Sequence, residues 1–187
     1  MRTHDDSEQS LSVMEYFILA LIGKARLTSL YAFQQRAALQ PGGIRTSLER
    51  LEQRGLLERA ESGSRQRRDL SLTAAGLRFL ERTWKQCLAD YPDAESVLRA
   101  ATVAVLMGDQ HYAGEYLSGM GLHRESSGKE KDMEAERLGR GRLDPLSAYR
   151  WMRALTEAQR REGESKAFSM LGRTLKEKHQ PDVVHQR

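Results

Sequence analysis

Apolar residues near the start of the chain predict two helices. Residues 13–22 are apolar on almost every side of a helix, which is typical of a buried helix. Ser12 and Glu15 have the spacing of a capping box, and Gly23 is a natural end point. A second helix is predicted over residues 28–39. Its expected inward side chains are Leu30, Tyr31 and Ala38, with Phe33 as a further candidate.

The third predicted helix is amphipathic and follows a break at Pro41 and Gly42. It spans residues 43–54, and Gly55 ends it because glycine adopts a positive φ at low cost. Polar and cationic side chains occupy its outer faces. The inward stripe, spaced i, i+4, i+7, consists of Ile44, Leu48 and Leu51.

A β-hairpin and a further helix are predicted next. The strands cover residues 56–60 and 69–73, and a loop rich in turn formers and arginines joins them. Leu70 and Leu72 alternate with polar residues, so one strand face can pack on the helices. Thr73 is placed to cap the helix that follows. Its apolar stripe is expected to contain Leu77, Leu80, Trp84, Cys87 or Leu88, and Tyr91.

The remaining sequence predicts helices and no strand. One apolar stripe is expected to run from Val97 to about Leu117. Glycines and serines at residues 119–128 predict a break, and the charged residues 129–142 predict a solvated helix or a flexible connection. Asp144 and Pro145 then predict the start of a last helix. The expected organisation is a tail at 1–10, a first domain at 11–90, a helical region at 91–178 and a frayed end at 179–187.

Composition and charge suggest where the protein acts and on what. Apolar residues make up 39% of the 187 residues, below the usual globular share, so the helices are expected to complete their apolar stripes on a second subunit. The net charge of +4 favours a polyanionic partner, and residues 45–68 contain seven arginines, four glutamates and no lysine. Apolar runs far shorter than about 20 residues, a polar amino end and a single cysteine predict a cytoplasmic protein outside the membrane.

Four segments carry a resemblance to a known family. They are LY at residues 30–31, GGIR at 42–45, RLEQRGL at 50–56 and LTAAG at 72–76. In their order and spacing they resemble the PadR-like transcriptional regulators. Leu30 stands where that family usually has glycine, and Arg45 where tyrosine is common.

The resemblance implies a fold and a function. The expected fold is mainly α with a small β-hairpin wing: a winged helix-turn-helix domain followed by a carboxy-terminal helical dimerisation arm. The expected function is that of a homodimeric repressor that binds double-stranded DNA at a palindromic operator. The resemblance also implies that small aromatic or amphipathic compounds can release such proteins from DNA, so a small aromatic effector is a further candidate partner.

The candidate DNA contacts lie on the third helix and on the hairpin. Arg45, Thr46 and Ser47 are placed to contact bases in the major groove, whereas Arg65, Arg67 and Arg68 are suited to phosphates or the minor groove. The alternatives are a solvated helix face, or a winged-helix module whose basic wing docks an acidic protein partner. The full candidate set is Tyr31, Gly43, Arg45, Thr46, Ser47, Arg50, Arg65, Gln66, Arg67 and Arg68.

Other chemistries find less support in the sequence. An effector pocket or dimer interface is a candidate role for Trp84, Leu88, Trp151 and Leu155, although aromatic residues at helical spacing more often pack in a core. The five histidines form no metal-ligand pattern with Cys87, which itself fits core packing better than redox sensing. No metal or other cofactor is therefore predicted. No enzyme motif occurs, so catalysis is not expected.

Overall fold

The computed structural model describes residues 10–37, 39–61, 68–139 and 145–178. Within these ranges the chain is mainly helical and contains one two-stranded antiparallel sheet, which confirms the predicted fold class at this level. The elements are α1 (Val13–Gly23), α2 (Leu30–Ala37), α3 (Pro41–Gln53), β1 (Leu57–Glu61), β2 (Arg68–Leu72), α4 (Ala74–Thr83), a 3₁₀ helix (Trp84–Cys87), α5 (Ala94–Leu106), α6 (Gln110–Gly139) and α7 (Pro145–Lys178).

Helix α1 is the centre of the first compact unit. The predicted capping box is present: the Glu15 N–H donates to Ser12 Oγ at 3.2 Å, and the Ser12 N–H donates to Glu15 Oε2 at 2.7 Å. All residues from 15 to 22 are buried, as expected for a helix that is apolar all round. Helix α1 can therefore contact α3, α4, α5 and β2 at once.

Helix α2 presents a different face to the core from the predicted one. Ser29 Oγ accepts the Ala32 N–H at 3.2 Å, so the helix begins only at Leu30. Leu30 and Tyr31 therefore lie in the first turn, where both are exposed, and the prediction that they face inward was wrong. Phe33 is the buried residue of this helix. Ala38 lies outside the described residues.

Helix α3 begins earlier than predicted. Pro41 is its first residue rather than part of a break, because that position has no intrahelical use for an N–H and suits the φ of proline. The inward stripe is confirmed, since Ile44, Leu48 and Leu51 are all buried. Gly55 follows the helix with a φ of 67°, as predicted. The buried stripe leaves the polar faces of α3 exposed to solvent.

The hairpin pairs β1 with β2 from Leu57 opposite Leu72 to Glu61 opposite Arg68, within one residue of the predicted strands. Leu70 is buried against the helices. Its N–H donates to the carbonyl oxygen of Thr28 at 2.7 Å. The connection between α1 and α2 therefore lies against the outer side of β2.

Helix α4 is shorter than predicted. Thr73 caps it by accepting the Gly76 N–H at 2.9 Å, as expected. The helix was predicted to continue to residue 91, but it ends at Thr83 and is followed by a 3₁₀ helix that ends at Cys87. The tighter 3₁₀ repeat of three residues per turn places Trp84 and Cys87 on one buried side. Leu77, predicted to face inward, is 38% exposed.

The division between the two compact units lies after Asp109, whereas the helical region was predicted to begin at residue 91. The difference is α5, which packs on α1 and so belongs to the first unit. The predicted single stripe to Leu117 was wrong because Gly108, with a φ of 88°, ends α5 before α6 begins.

The second unit is an antiparallel pair formed by α6 and α7. The predicted break at residues 119–128 was wrong, because α6 runs without interruption to Gly139. Helix α7 begins at Pro145 as predicted. Across the described ranges of both units, no helix combines the length and the apolar character needed to span a membrane.

Small residues at every seventh position bring α6 and α7 together. A Cβ atom on Gly114 would lie 2.8 Å from the carbonyl oxygen of Gly172, and a Cβ on Gly121 would lie 3.1 Å from that of Ser165. Glycine is unfavourable in a helix by about 1 kcal/mol, but close backbone packing offsets this cost. The repeat consists of Gly114, Gly121, Gly128 and Ala135 on α6, and Ala158, Ser165 and Gly172 on α7.

A buried ion pair fixes the register of these two helices. Arg124 on α6 is only 1% exposed, and its Nε lies 3.0 Å from Glu164 Oε2 on α7. On α7 itself, Arg160 Nη1 donates a hydrogen bond to the other carboxylate oxygen, Glu164 Oε1, at 2.6 Å. A slip of one helix along the other would separate a buried guanidinium from its carboxylate, which is strongly unfavourable. The small residues therefore set the distance between α6 and α7, and the ion pair sets their alignment.

Substitution of Gly121 tests this packing. We expect Gly121→Val to lower the free energy of unfolding by about 2–3 kcal/mol, because its side chain would meet Ser169 Oγ, 2.5 Å from the added Cβ, and the α7 backbone. Gly119→Ala is the matched control on the same helix, since its Cβ would have no neighbour within 4 Å. The control should leave stability unchanged or raise it by up to about 1 kcal/mol. Urea unfolding followed by circular dichroism measures both, and equal stability of the two variants would contradict the close packing.

Candidate nucleic-acid interface

The exposed surface of α3 holds most of the predicted base-contacting residues. Arg45, Thr46 and Arg50 are exposed, whereas Ser47 is half-buried at the edge of the inward stripe. The buried face of α3 packs on α1 and so holds these side chains on a supported helix. Glu49 is exposed one turn after Arg45 and adds a carboxylate to the same surface.

The backbone in the first turn of α3 is accessible to another molecule at Gly42 and Gly43. Gly43, a predicted contact, is exposed together with Gly42, and a Cβ atom at either position would meet nothing within 4 Å. Gln40, the N-cap residue, makes no side-chain hydrogen bond to the helix. The start of α3 can therefore bring its backbone close to another molecule.

Tyr31 adds an aromatic hydroxyl on α2. It is 71% exposed in the first turn of that helix, beside the exposed Leu30. A tyrosine in this position can donate its hydroxyl proton to an anionic acceptor. Of the ten predicted contacts, those on α2 and α3 are accessible to a partner, with Ser47 the least exposed.

The structure describes the base of the hairpin but not its tip. Arg65, Gln66 and Arg67 lie outside the described residues, and so does the side chain of Arg68. The backbone of Arg68 begins β2 and pairs with Glu61. The proposal that these residues contact a partner therefore stays a prediction.

Two of the segments that resemble the PadR-like family, residues 50–56 and 72–76, contact each other in the fold. The Thr73 hydroxyl donates to the carbonyl oxygen of Gly55 at 2.7 Å, and the Thr73 N–H donates to that of Leu56 at 3.2 Å. A Cβ atom on Gly76 would lie only 1.9 Å from the Leu56 oxygen. The start of α4 is therefore held against the turn that joins α3 to the hairpin.

Two contacts at the end of α3 were not predicted from the sequence. Glu52 accepts a hydrogen bond from Nε of Arg59 on β1, and the Arg54 guanidinium lies 5.8 Å from the centre of the Phe79 ring on α4. Arg54 and Phe79 are far apart in sequence, whereas Glu52 and Arg59 are near in sequence but lie on different elements. Only the fold brings these groups together.

The predicted effector or dimer residues divide between the two units. Trp84 is buried in the first unit, with the Lys85 ammonium 5.4 Å from its ring centre, and Leu88 is half-buried. Trp151 and Leu155 lie on α7, where their side chains are outside the described residues. The burial of Trp84 gives it a packing role in the core of the first unit.

Cys87 has the surroundings of a packing residue. It is buried, and burial raises the pKa of its thiol to about 12, partly opposed by a backbone hydrogen bond. The thiolate that reacts with oxidants is therefore scarce at neutral pH. Among the side chains that the structure describes, no three His, Cys, Asp or Glu residues lie close enough together to hold a metal ion.

Comparison with protein-family models, curated proteins and solved structures found no match to this chain. Assignment of a function therefore rests on the residues and geometry given above.

Proposed function

We propose that this protein is a sequence-specific, DNA-binding transcriptional regulator of PadR-like type, which acts as a homodimeric repressor at a palindromic operator. The observation that carries the proposal is the exposed face of α3, with Arg45, Thr46 and Arg50, directly followed by a β-hairpin that contains an arginine-rich loop. A helix that enters a groove beside a cationic hairpin is the arrangement by which winged helix-turn-helix domains bind DNA.

In the proposed complex α3 lies in the major groove. The Arg45 guanidinium can form two hydrogen bonds with guanine, and the Glu49 carboxylate can accept from the amino group of cytosine. Thr46 supplies a hydroxyl and a methyl group on the same exposed surface. These side chains give the protein its sequence preference.

The surrounding groups contact the DNA backbone. The open first turn at Gly42 and Gly43 and the exposed hydroxyl of Tyr31 are suited to phosphate oxygens. The arginines at positions 65, 67 and 68 place positive charge in and beside the hairpin loop, where they bind phosphates or the minor groove. Such contacts supply affinity and orientation but little sequence discrimination.

A second copy of the chain completes the proposed assembly. The α6–α7 pair leaves large apolar side chains on its surface, and burial of these against a second subunit would remove them from water. Two α3 helices about 34 Å apart would then reach successive major grooves. The most exposed of these apolar residues are Leu122, Met133 and Met170.

Selection from random DNA fragments tests the proposal. We expect enrichment of one palindromic sequence, with half-sites about one helical turn apart. Binding to that sequence should weaken steeply as salt rises, because each neutralised phosphate releases counterions. Gel-shift titration at several salt concentrations measures this slope. Selection that enriched no sequence would refute the proposal and would favour the alternative, in which the same surface docks an acidic protein.

A further inference from the structure

The Glu52–Arg59 ion pair connects two elements of the proposed DNA-binding surface. They are α3, proposed to contact bases, and the hairpin, proposed to contact the DNA backbone. Glu52 lies in the last turn of α3 and Arg59 in the middle of β1. Their side chains are 28% and 34% exposed, so the pair lies at the surface but is partly shielded from water. No other element of the chain separates α3 from β1, because only residues 54–56 connect them.

The direction of Arg59 follows from the strand. Residues two apart on a strand share a face, so Arg59 shares a face with the buried Leu57. The neighbouring Glu58 points to the opposite face, where it accepts a hydrogen bond from the Ser71 hydroxyl at 3.1 Å. Arg59 thus extends from the side of the hairpin that faces the helices, and its guanidinium reaches back to α3.

We propose that Glu52 and Arg59 are a positioning pair, which sets the angle between the hairpin and α3, and that Arg59 does not itself contact DNA. This inference rests on the proposed function. The turn between the two elements contains Gly55, whose backbone has a positive φ, and a glycine turn alone allows more than one hairpin direction. Thr73 holds the base of this turn, whereas the pair acts further along β1.

The angle matters because α3 and the hairpin must meet the same duplex at the same time. Without the pair, the hairpin is held mainly through β2 and the base of the turn, so β1 gains conformational freedom that is lost again when DNA binds, which weakens binding. The effect of one partly exposed ion pair on an equilibrium is at most about fivefold. A dimer contains two such pairs, so we expect loss of the pair to weaken binding by about two- to twentyfold.

Glu52→Gln distinguishes positioning from simple electrostatics. If charge alone mattered, removal of an acidic group beside DNA would strengthen binding, because phosphates repel carboxylates. The positioning proposal predicts the opposite sign. For Arg59→Ala it predicts weaker binding with an unchanged salt slope, whereas loss of a phosphate contact would reduce the slope by about one per arginine. Gel-shift titration of each full-length variant on the DNA selected with the wild-type protein gives both quantities.

The exchanged pair and a control complete the experiment. Glu52→Arg combined with Arg59→Glu should restore affinity to within about twofold of wild type, because the contact is rebuilt with its charges reversed. Glu81→Gln removes a different ion pair of the first unit, Lys24 with Glu81 at 3.1 Å, and should leave affinity unchanged. Thermal unfolding confirms that each variant is folded. Tighter binding by Glu52→Gln, or no recovery in the exchanged pair, would overturn the inference, whereas absence of binding by the wild type would refute the proposed function itself.

Discussion

Replacement of Arg45 by alanine is expected to weaken binding to the selected operator by about thirtyfold or more. Arg45 is exposed in the second turn of α3, and the exposed Gly42 and Gly43 in the preceding turn carry no side chain. A bidentate contact between arginine and guanine contributes about 1–3 kcal/mol of discrimination. Two protomers on a palindrome would lose this contact twice, or at least about 2 kcal/mol, which corresponds to about thirtyfold in the dissociation constant.

A second substitution at position 45 distinguishes a contact with a base from a contact with a phosphate. Arg45→Lys keeps the charge but loses the planar fork, so it should bind nearly as poorly as Arg45→Ala if the partner is guanine. If the partner is a phosphate, the lysine variant should bind well and the alanine variant should show a lower salt slope. Arg173→Ala on α7 removes the same charge from the second unit and serves as the control. Wild-type affinity in Arg45→Ala would show that this face of α3 does not contact DNA.

The elements with local signals were predictable from the sequence. The capping box of Ser12 and Glu15 acts across a single helical turn, and the stripe of α3 needs only its own periodicity. The strands of the hairpin were predicted within one residue, because alternation and turn-forming residues are also local. In each case the physical cause and the sequence signal lie within a few residues of each other.

The predicted break at residues 119–128 was wrong because it was inferred from glycines that lie within α6. In isolation, Gly119, Gly121 and Gly128 argue against a helix because glycine costs more backbone entropy than alanine. In the fold, Gly121 and Gly128 lie where α7 comes close to α6, so contacts with a distant segment offset that cost. The seven-residue repeat of small residues in α6 and in α7 is a sequence signal of close helix packing. It predicts that packing only when the two helices are known to be packed on each other.

The candidate nucleic-acid interface was also predictable only where its features depend on local sequence. The exposed face of α3 follows from helical periodicity, so Arg45, Thr46 and Arg50 could be located from the sequence. The pairing of Glu52 with Arg59 could not, because it depends on how the hairpin folds back on α3. The exposure of Tyr31 could not be located either, because it depends on which face of α2 packs on the core, and that face is the one with Phe33.

Replacement of Gly76 by alanine should destabilise the first unit by about 3 kcal/mol or more. The added Cβ would lie 1.9 Å from the carbonyl oxygen of Leu56 and 2.8 Å from its carbonyl carbon, both of which belong to the backbone. Neither atom can move as the end of a flexible side chain would. The Leu56 oxygen is also the acceptor for the Thr73 N–H, so relief of the clash must break that hydrogen bond or shift α4.

Two further substitutions isolate the effect of this clash on stability. Gly42→Ala also adds one methyl group to a helix of the first unit, but at a position with no neighbour within 4 Å, so it should be neutral or stabilising by up to about 1 kcal/mol. Thr73→Val removes only the hydroxyl that bonds Gly55 and caps α4, and should cost about 1–2 kcal/mol. Urea unfolding of the three variants measures their free energies of unfolding, which should be lowest for Gly76→Ala and highest for Gly42→Ala. If Gly76→Ala proved as stable as Gly42→Ala, then α4 does not lie against the turn after α3, and the support that this contact gives to the hairpin would be absent.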